Sequence, residues 1–347
     1  MTAFETVLAA HLERYPHMAP ADCAKLAYQH RFGPAHLITD EGAALRALGE
    51  EWVQVPSGAP HRAPEDIGNG LCRFYLNDIE EKELGVHILI KLFCLTAKEF
   101  SEREENLAAE LAALEKLPLP GMAEYLSDYR SRGCPPVRHS EGYRAAYDPR
   151  YRLLKWEYAR LFPALLELGK LVRRGKTTAA IDGRCGSGKS TLARLAQEVF
   201  GCGVVHMDDF YLPPARRAEN WLEIPGGNMD LDRLRAEVLE PMGERDTISY
   251  RPFDCGRGAY GPPVTVDTSG LTLIEGSYSH HPDLEGKYDL RLFVTCSEEE
   301  QLCRLKKREG GYFPVFVQVW KPLEERYIRR FDLEHRGAFL VDTGSAI

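Results

Sequence analysis

A glycine-rich segment contains the residues of this chain that are best suited to binding a phosphorylated ligand. It fits the pattern G-x-x-x-x-G-K-[ST] at every fixed position and consists of Gly183, Arg184, Cys185, Gly186, Ser187, Gly188, Lys189, Ser190 and Thr191. Glycines let the backbone curl until successive N–H groups point at phosphate oxygens. In such a loop the Lys189 ammonium neutralises β- and γ-phosphate charge, and the Ser190 hydroxyl reaches Mg²⁺. The sequence therefore predicts a site for ATP and Mg²⁺ in this phosphate loop, residues 183–191.

The elements around the phosphate loop agree with that interpretation. A β-type run, residues 177–181, precedes the loop, and residues 191–200 follow it as an amphipathic helix. The amino terminus of that helix adds its positive dipole end to the loop. This strand–loop–helix order distinguishes the segment from a glycine-rich turn that merely opens a helix.

Two acidic residues follow other strands of the same predicted sheet. Asp208 comes after residues 204–207, and Glu275 comes after residues 271–274. In an open parallel sheet, ligands bind beyond the carboxyl ends of the strands. A kinase needs one carboxylate to accept the proton of the acceptor hydroxyl and another near Mg²⁺. We assign Asp208 as the candidate base, close to the metal, and Glu275 as the metal-side acid, whereas Asp209 should point elsewhere. Solvated acids at strand ends, or helix caps, are the alternative interpretation.

The predicted secondary structure changes near residue 175. Apolar residues at helical spacing cover residues 4–15, 20–32, 41–53, 84–117 and 152–174, with Pro163 predicted to restart the last helix, and with breaker-rich loops at 56–60 and 133–136. Beyond residue 175, short β-type runs at 177–181, 204–207, 271–274, 290–294 and 339–341 alternate with helices. The prediction is a mainly helical domain, 1–174, followed by an α/β domain, 175–347, with the P-loop three-layer fold and a parallel sheet.

The composition of the chain argues against some classes of binding partner. A formal net charge of -8 argues against binding to duplex nucleic acid, which requires a basic face. The amino terminus lacks the basic region and apolar core of a signal peptide, and no window is long and apolar enough for a membrane span. We expect a cytoplasmic protein without a nucleic-acid or membrane partner, in which the helical domain shapes substrate, regulates or forms a homo-oligomer.

The cysteines indicate a reducing compartment. Nine cysteines occur without a CxxC pair and without a Cys/His cluster at zinc spacing. Cys185 is a special case because it lies among the backbone donors of the phosphate loop, which could lower its thiol pKa. The alternative is a small residue tolerated in a tight loop.

Several segments of the second half, taken in order, resemble the uridine kinase and phosphoribulokinase group of P-loop kinases. They are IDGRCGSGKST, HMDDFYLP, ISYRPFDC, LIEGSYSHHPDL, DLRLFVTCSEEEQLCRLKKRE and KPLEERYI. The resemblance implies that Asp208 is the catalytic base of a D-[SD]-F-Y segment that also contains Tyr211, and that Glu275 closes the strand of an F-E-G segment. It further implies that Tyr250 contacts a nucleoside, and that basic residues of a lid helix close over the triphosphate, here Arg304 and Arg308.

Other positions depart from that pattern. The nucleoside kinases carry a histidine shortly after the tyrosine, where this chain has Arg251 and the residues that follow it. Glu223 is the candidate for the acid that holds the ribose hydroxyls. His280 and His281 are further candidates for substrate contact. The lid between Arg308 and Lys321 is short and apolar.

The sequence thus predicts a phosphotransferase that acts on a small hydroxyl-bearing acceptor, with a nucleoside as the leading class. Pantothenate, glycerate or a sugar phosphate are alternative acceptors. A regulatory ATP-binding switch that phosphorylates nothing is the alternative from a different functional class. In the first half, the polar and aromatic residues around Arg73 and His139 carry no assigned role.

Overall fold

The computed structural model describes residues 2–37, 41–55, 61–79, 81–101 and 106–344, so the predicted loop at 56–60 lies outside the described residues. The chain divides into two compact units between Arg160 and Leu161, within helix α8 (Trp156–Val172). The domain boundary predicted near residue 175 lies just beyond the end of that helix. No helix within the described ranges has the length and apolar character needed to cross a bilayer.

The first unit contains seven helices in its described ranges besides the start of α8. They are α1 (Ala3–Arg14), α2 (Pro20–Phe32), α3 (Glu41–Val53), α4 (Lys82–Ser101), α5 (Ala108–Leu114), α6 (Met122–Ser131) and α7 (Glu141–Tyr147). The helices predicted at 4–15, 20–32 and 41–53 are confirmed. The single helix predicted at 84–117 is wrong, because α4 ends at Ser101 and the Asn106 side chain accepts a hydrogen bond from the N–H of Ala108, which opens a separate helix.

A three-stranded antiparallel sheet in the same unit was not predicted. Its strands are β1 (Glu65–Gly68), β2 (Leu71–Tyr75) and β3 (Tyr151–Lys155), with β2 in the centre. Residues 152–155, predicted as helix, pair with β2 instead. Helix α8 then runs unbroken through Pro163, so the predicted restart at this proline is wrong. Pro163 is exposed. Leu161, Phe162 and Leu165 of the same helix are buried, and their packing stabilises α8 despite the missing N–H of the proline.

The unassigned polar residues of the first half meet in the interior of this unit. The guanidinium of Arg73 is fully buried and donates to Glu65 at 3.2 Å and to Gln29 at 3.0 Å. The His139 ring stacks on Tyr143 with a centroid distance of 4.2 Å, and burial lowers the pKa of His139 to about 4. Buried charges that are paired in this way hold a fold in one arrangement.

The second unit is built around a five-stranded parallel sheet. Its strands are β4 (Thr177–Gly183), β5 (Gly203–His206), β10 (Leu271–Glu275), β11 (Leu290–Thr295) and β12 (Phe339–Asp342), in the order β12-β11-β4-β10-β5. All five predicted strands are confirmed, and the unit has the predicted three-layer P-loop fold. The strand before the phosphate loop is central, with the strand that ends at Glu275 beside it.

Helices and two small hairpins complete this unit. The helices are α9 (Lys189–Phe200), α10 (Leu231–Leu234), α11 (Glu298–Glu309), α12 (Phe313–Val315) and α13 (Lys321–Phe331). Short strands pair as β6 (Thr247–Tyr250) with β9 (Val264–Asp267) and as β7 (Phe253–Asp254) with β8 (Ala259–Tyr260). Apolar side chains from the strands, from the turn after β5 and from α13 form a common core that includes Met207, Phe210, Ile274, Phe293 and Tyr327.

Gly183 is required where β4 turns into the phosphate loop. Its φ is +139°, and a Cβ there would lie 1.9 Å from the carbonyl oxygen of Val294 on β11. We expect Gly183→Ala to lower the free energy of unfolding by about 3 kcal/mol, because backbone atoms cannot yield as a flexible side chain would. Urea denaturation measures this, with Gly270→Ala as the control, since a Cβ at Gly270 meets nothing within 4 Å. Equal stability of both variants would contradict the expectation.

Candidate active site

The phosphate loop curls between the end of β4 and the start of α9 and leaves several of its backbone N–H groups without a protein acceptor in the described chain. In the described part of the chain, the N–H groups of Gly186, Gly188, Lys189 and Ser190 donate to no protein acceptor. Gly186 and Gly188 have positive φ values, +73° and +109°, which glycine adopts without steric cost and which let the loop curl tightly. Unpaired N–H groups at a helix amino terminus bind anions, so the residues present fit a phosphate group.

Lys189 lies at the centre of this curl. Its side chain is buried, and its ammonium donates to the carbonyl oxygens of Gly183 at 2.7 Å and of Arg184 at 3.0 Å. The ammonium is therefore anchored to the first two residues of the phosphate loop.

Ser190 and Glu275, predicted to share the metal side of the site, are in contact. The Ser190 hydroxyl donates to one oxygen of the Glu275 carboxylate at 3.0 Å, and Nδ1 of His206 lies 2.8 Å from the other. Burial disfavours the ionised form of Glu275, but the contact with His206 and the charge of Lys189 outweigh it and lower the pKa of Glu275. The carboxylate is thus ionised at neutral pH, beside the hydroxyl that sequence assigned to Mg²⁺.

His206 was not predicted as a site residue. It is the last residue of β5 and is paired in register with Glu275 of β10. Its position two residues before Asp208 was the signal available in the sequence. The hydrogen bond to Glu275 raises the pKa of His206, and the carboxylate charge adds to this effect.

This contact predicts a pH dependence of stability. A raised pKa in the folded state means that the His206–Glu275 pair contributes fully below the ordinary histidine pKa of about 6.5. We expect this contribution to be lost as the pH rises through the higher folded pKa, and to stay below about 1 kcal/mol because half of the His206 side chain is exposed. Urea denaturation from pH 6 to 8.5 measures it, with His335→Gln as the control for an exposed histidine. The same slope in the wild-type protein and in His206→Gln would contradict it.

Asp208 and Asp209 follow β5 in a short 3₁₀ turn and point in different directions. Asp208 is exposed, and one of its carboxylate oxygens accepts a hydrogen bond from the Tyr211 hydroxyl at 3.0 Å. Asp209 accepts from the buried Tyr250 hydroxyl at 2.8 Å. Asp208 is therefore the accessible carboxylate at this strand end, whereas Asp209 is engaged with the fold.

The residues predicted to contact substrate are placed unequally. Tyr211 lies beside Asp208, and Tyr250 lies beneath Asp209 with its ring packed on Phe210. Arg251 is exposed and donates to the carbonyl oxygens of Gly261 and Tyr260.

Three further candidates differ in their exposure. The Glu223 side chain is exposed. His281 is half-buried with its ring parallel to that of Tyr327 at 6.3 Å. His280 is buried, and its N–H donates to Asp182.

The two predicted lid arginines also differ from one another. The guanidinium of Arg304 donates to the carbonyl oxygens of Gly186 at 3.3 Å and Ser187 at 3.2 Å, and to Thr343. Arg304 thus supports the phosphate loop from its carbonyl side. Arg308 is exposed and pairs with Glu309. Between α11 and α13 the chain is helical, with a π-helical turn at Phe316–Trp320.

The variable positions of the loop are held by neighbouring elements. Arg184 donates to Glu325 at 2.5 Å and to Glu334 at 2.7 Å. Burial raises the pKa of the Cys185 thiol, and the nearby Glu324 carboxylate raises it further. Cys185 is therefore a neutral thiol, which favours the interpretation of a small residue in a tight loop over that of an activated nucleophile.

Asp182, the next-to-last residue of strand β4, is a second residue of the site that the sequence analysis missed. Its buried carboxylate accepts hydrogen bonds from the N–H of Gly183 at 2.7 Å, the N–H of His280 at 2.8 Å and the hydroxyl of Tyr327 at 2.7 Å. The Asp182 carboxylate therefore connects the start of the phosphate loop to the segment that follows β10 and to helix α13.

The side chains alone do not form a metal cage. In the ranges that the structure describes, no three His, Cys, Asp or Glu side chains converge as metal ligands. Mg²⁺ in phosphoryl-transfer sites is held by one or two protein oxygens together with phosphate oxygens and water. The Ser190 hydroxyl and the Glu275 carboxylate fit such a site.

Comparison with known proteins gives structural matches alone. No protein-family model matches the chain, and no curated protein matches it. One solved chain that it resembles is a possible uridine kinase from Bacillus stearothermophilus, with 19% identity and a TM-score of 0.42 over 53% of this chain and 97% of that one. Another is a candidate fructose transport system kinase from Silicibacter sp. TM1040, with 20% identity and a TM-score of 0.38 over 51% of this chain and 95% of that one.

Proposed function

We propose that this chain is a kinase that transfers the γ-phosphoryl group of ATP, in the presence of Mg²⁺, to a hydroxyl of a small molecule, with a nucleoside as the acceptor class. The observation that carries the proposal is the placement of three groups at the carboxyl ends of neighbouring parallel strands. They are the buried Lys189 ammonium after β4, the Ser190–Glu275 contact at the end of β10, and the exposed Asp208 carboxylate after β5. Strand β10 lies between β4 and β5 in the sheet.

The phosphate loop supplies the charge stabilisation. Phosphoryl transfer requires little covalent chemistry from the protein, so positioning and electrostatic stabilisation do most of the work. Donors that are fixed before the reaction stabilise developing charge without reorganisation. The N–H groups of Gly186, Gly188, Lys189 and Ser190 are held in this way by the helix and the glycine turns.

Ser190 and Glu275 would hold Mg²⁺, directly or through water. When bound, the metal neutralises charge on the transferred phosphoryl group. Glu275 is kept ionised by His206 and Lys189, which suits it to this role.

Asp208 is the group that would accept the proton of the acceptor hydroxyl. Its exposure leaves it open to a bound acceptor, and the Tyr211 hydroxyl orients it by donating to one oxygen. The opposite orientation of Asp209, which Tyr250 engages, leaves one carboxylate for the chemistry.

The acceptor class follows from the resemblance of the segments around Asp208, Tyr250 and Glu275 to uridine kinases. An exposed aromatic ring supports it: Tyr260 packs edge-on against Phe253, with centroids 5.4 Å apart, in the loop that Arg251 bonds. The Arg233 guanidinium lies 4.9 Å from the centre of this ring, so a base would stack on the other face of Tyr260.

The test is ADP release by the whole chain, first with ATP and Mg²⁺ alone and then with separate pools of nucleosides, sugars, sugar phosphates and hydroxy acids. Release that depends on the nucleoside pool is expected. Release with another pool would overturn the acceptor class and keep the kinase. Slow release that no pool changes would overturn the kinase and favour a regulatory switch.

A further inference from the structure

A carboxylate from α13 occupies one of the hydrogen-bond donors of the phosphate loop. One oxygen of Glu324 accepts from the N–H of Cys185 at 2.7 Å, and the other accepts from the Ser277 hydroxyl at 2.5 Å. Glu324 is buried, with 5% of its surface exposed. Two elements of the candidate site therefore converge on a side chain to which the sequence analysis assigned no role.

This contact differs from the rest of the loop. The N–H groups of Gly186, Gly188, Lys189 and Ser190 donate to no protein acceptor in the described chain, and that of Ser187 donates within the loop to the carbonyl oxygen of Arg184, whereas the N–H of Cys185 donates to an anion. A carboxylate and a phosphoryl group make the same demand on such a donor, because both are anions that accept charge-assisted hydrogen bonds. A carboxylate and a phosphoryl group cannot both accept from the Cys185 N–H at the same time.

Glu324 contacts the segment that follows β10 as well as the phosphate loop. Ser277, whose hydroxyl donates to it, comes two residues after Glu275, the last residue of that strand. The Glu324 carboxylate therefore bridges the phosphate loop and the strand end that carries the candidate metal-side acid.

The contacts of helix α13 would let this helix move when a ligand replaces Glu324 at the Cys185 N–H. Glu325, the next residue, pairs with Arg184 of the loop at 2.5 Å. A cavity of about 710 Å³ lies between α11 and α13, lined by residues that include Leu302, Lys321 and Arg329. The helix is therefore tied to the loop by charged groups on one side and is loosely packed on another.

We propose that Glu324 competes with the terminal phosphoryl group of ATP for the Cys185 N–H and the Ser277 hydroxyl, so that ATP displaces Glu324 and α13 whereas ADP does not. The inference rests on the proposed use of ATP. It makes α13 the element that distinguishes the triphosphate from the diphosphate, through a like-charge conflict at one end of the loop.

The experiment measures ATP and ADP affinities of the whole chain by calorimetry, with Mg²⁺, for the wild type, Glu324→Gln and Glu324→Ala. We expect both variants to bind ATP at least about tenfold more tightly while the affinity for ADP changes less than about twofold. Glu298→Gln is the matched control, because it removes an exposed carboxylate that pairs with Lys321 of the same helix and touches no loop atom. Thermal unfolding checks that each variant is folded.

A second readout uses the wild-type protein and needs no variant. Amide hydrogen exchange in residues 321–331 should rise with ATP relative to ADP. Equal tightening for ATP and ADP, weaker ATP binding in the Glu324 variants, or exchange in α13 that is the same with both nucleotides would overturn the inference and leave the kinase proposal standing. A wild-type chain that binds neither nucleotide would overturn the proposed function itself.

Discussion

Replacing Lys189 by alanine is expected to abolish phosphoryl transfer, with a fall in turnover of about 10³-fold or more. The ammonium is the one buried cation within the curl of the phosphate loop in the described chain, and it is held there by the carbonyl oxygens of Gly183 and Arg184. Loss of a single fixed group that stabilises transition-state charge typically costs about 10²–10³-fold, and loss of a full charge at a transferring phosphoryl group costs more.

The measurement is the steady-state rate of acceptor phosphorylation at saturating ATP. Lys287→Ala is the control, since that lysine is exposed and far along the chain from the loop. Thermal unfolding must show that Lys189→Ala is folded, because the ammonium also bonds two carbonyl oxygens. Full turnover in folded Lys189→Ala would remove the phosphate loop from the reaction.

Replacing Asp208 by asparagine is expected to lower turnover by about 10²–10⁴-fold while ATP still binds. Asparagine keeps the shape and can still accept the hydrogen bond from Tyr211, but it cannot take up the proton of the acceptor hydroxyl. Because the phosphate-binding donors lie on other elements, the dissociation constant for ATP should change little.

Asp209→Asn is the matched control for this variant. It makes the same change one residue further on, where the carboxylate accepts from the buried Tyr250 hydroxyl. We expect Asp209→Asn to retain most of the turnover, since an amide oxygen can accept that bond. Turnover in Asp208→Asn equal to that of the wild type would remove Asp208 from the role of base, and a loss confined to Asp209→Asn would transfer the role to its neighbour.

The sheet of the second unit could be predicted from sequence because each strand contains a short run of apolar and β-branched residues, and three of the five lead into a residue of the candidate site. Buried parallel strands read as continuous apolar runs, and the pattern located all five. The first unit was harder. Strand β2 is buried at every position, so it lacks the alternation that marks a half-buried strand, and residues 151–155 have an apolar spacing that also suits a helix.

Pro163 shows the same limit in another form. A proline predicts a helix start at first-turn positions, but the apolar side chains of α8 on both sides of it are buried together and outweigh the lost hydrogen bond. Such tertiary compensation is invisible to a local pattern.

The site was predictable where a motif fixes both residue type and position. Ser190 and Glu275, 85 positions apart in the chain, meet at 3.0 Å as the strand order requires. His206 and Glu324 were missed because each gains its role from partners that folding brings close. His206 gains its role from register with Glu275, and Glu324 from the packing of α13 against the loop. Both lie in segments that resemble the kinase group, but residue type and spacing within those segments single out neither of them.

The central claim is that this site moves a phosphoryl group from ATP to a hydroxyl, and the most direct test follows that group. The whole chain is incubated with ATP labelled in the γ-phosphate, Mg²⁺ and the nucleoside pool, and the label is traced. We predict that it appears in a phosphorylated nucleoside in equal amount to the ADP formed, and that Lys189→Ala forms none. Label released only as inorganic phosphate, at a rate that no acceptor changes, would contradict the claim.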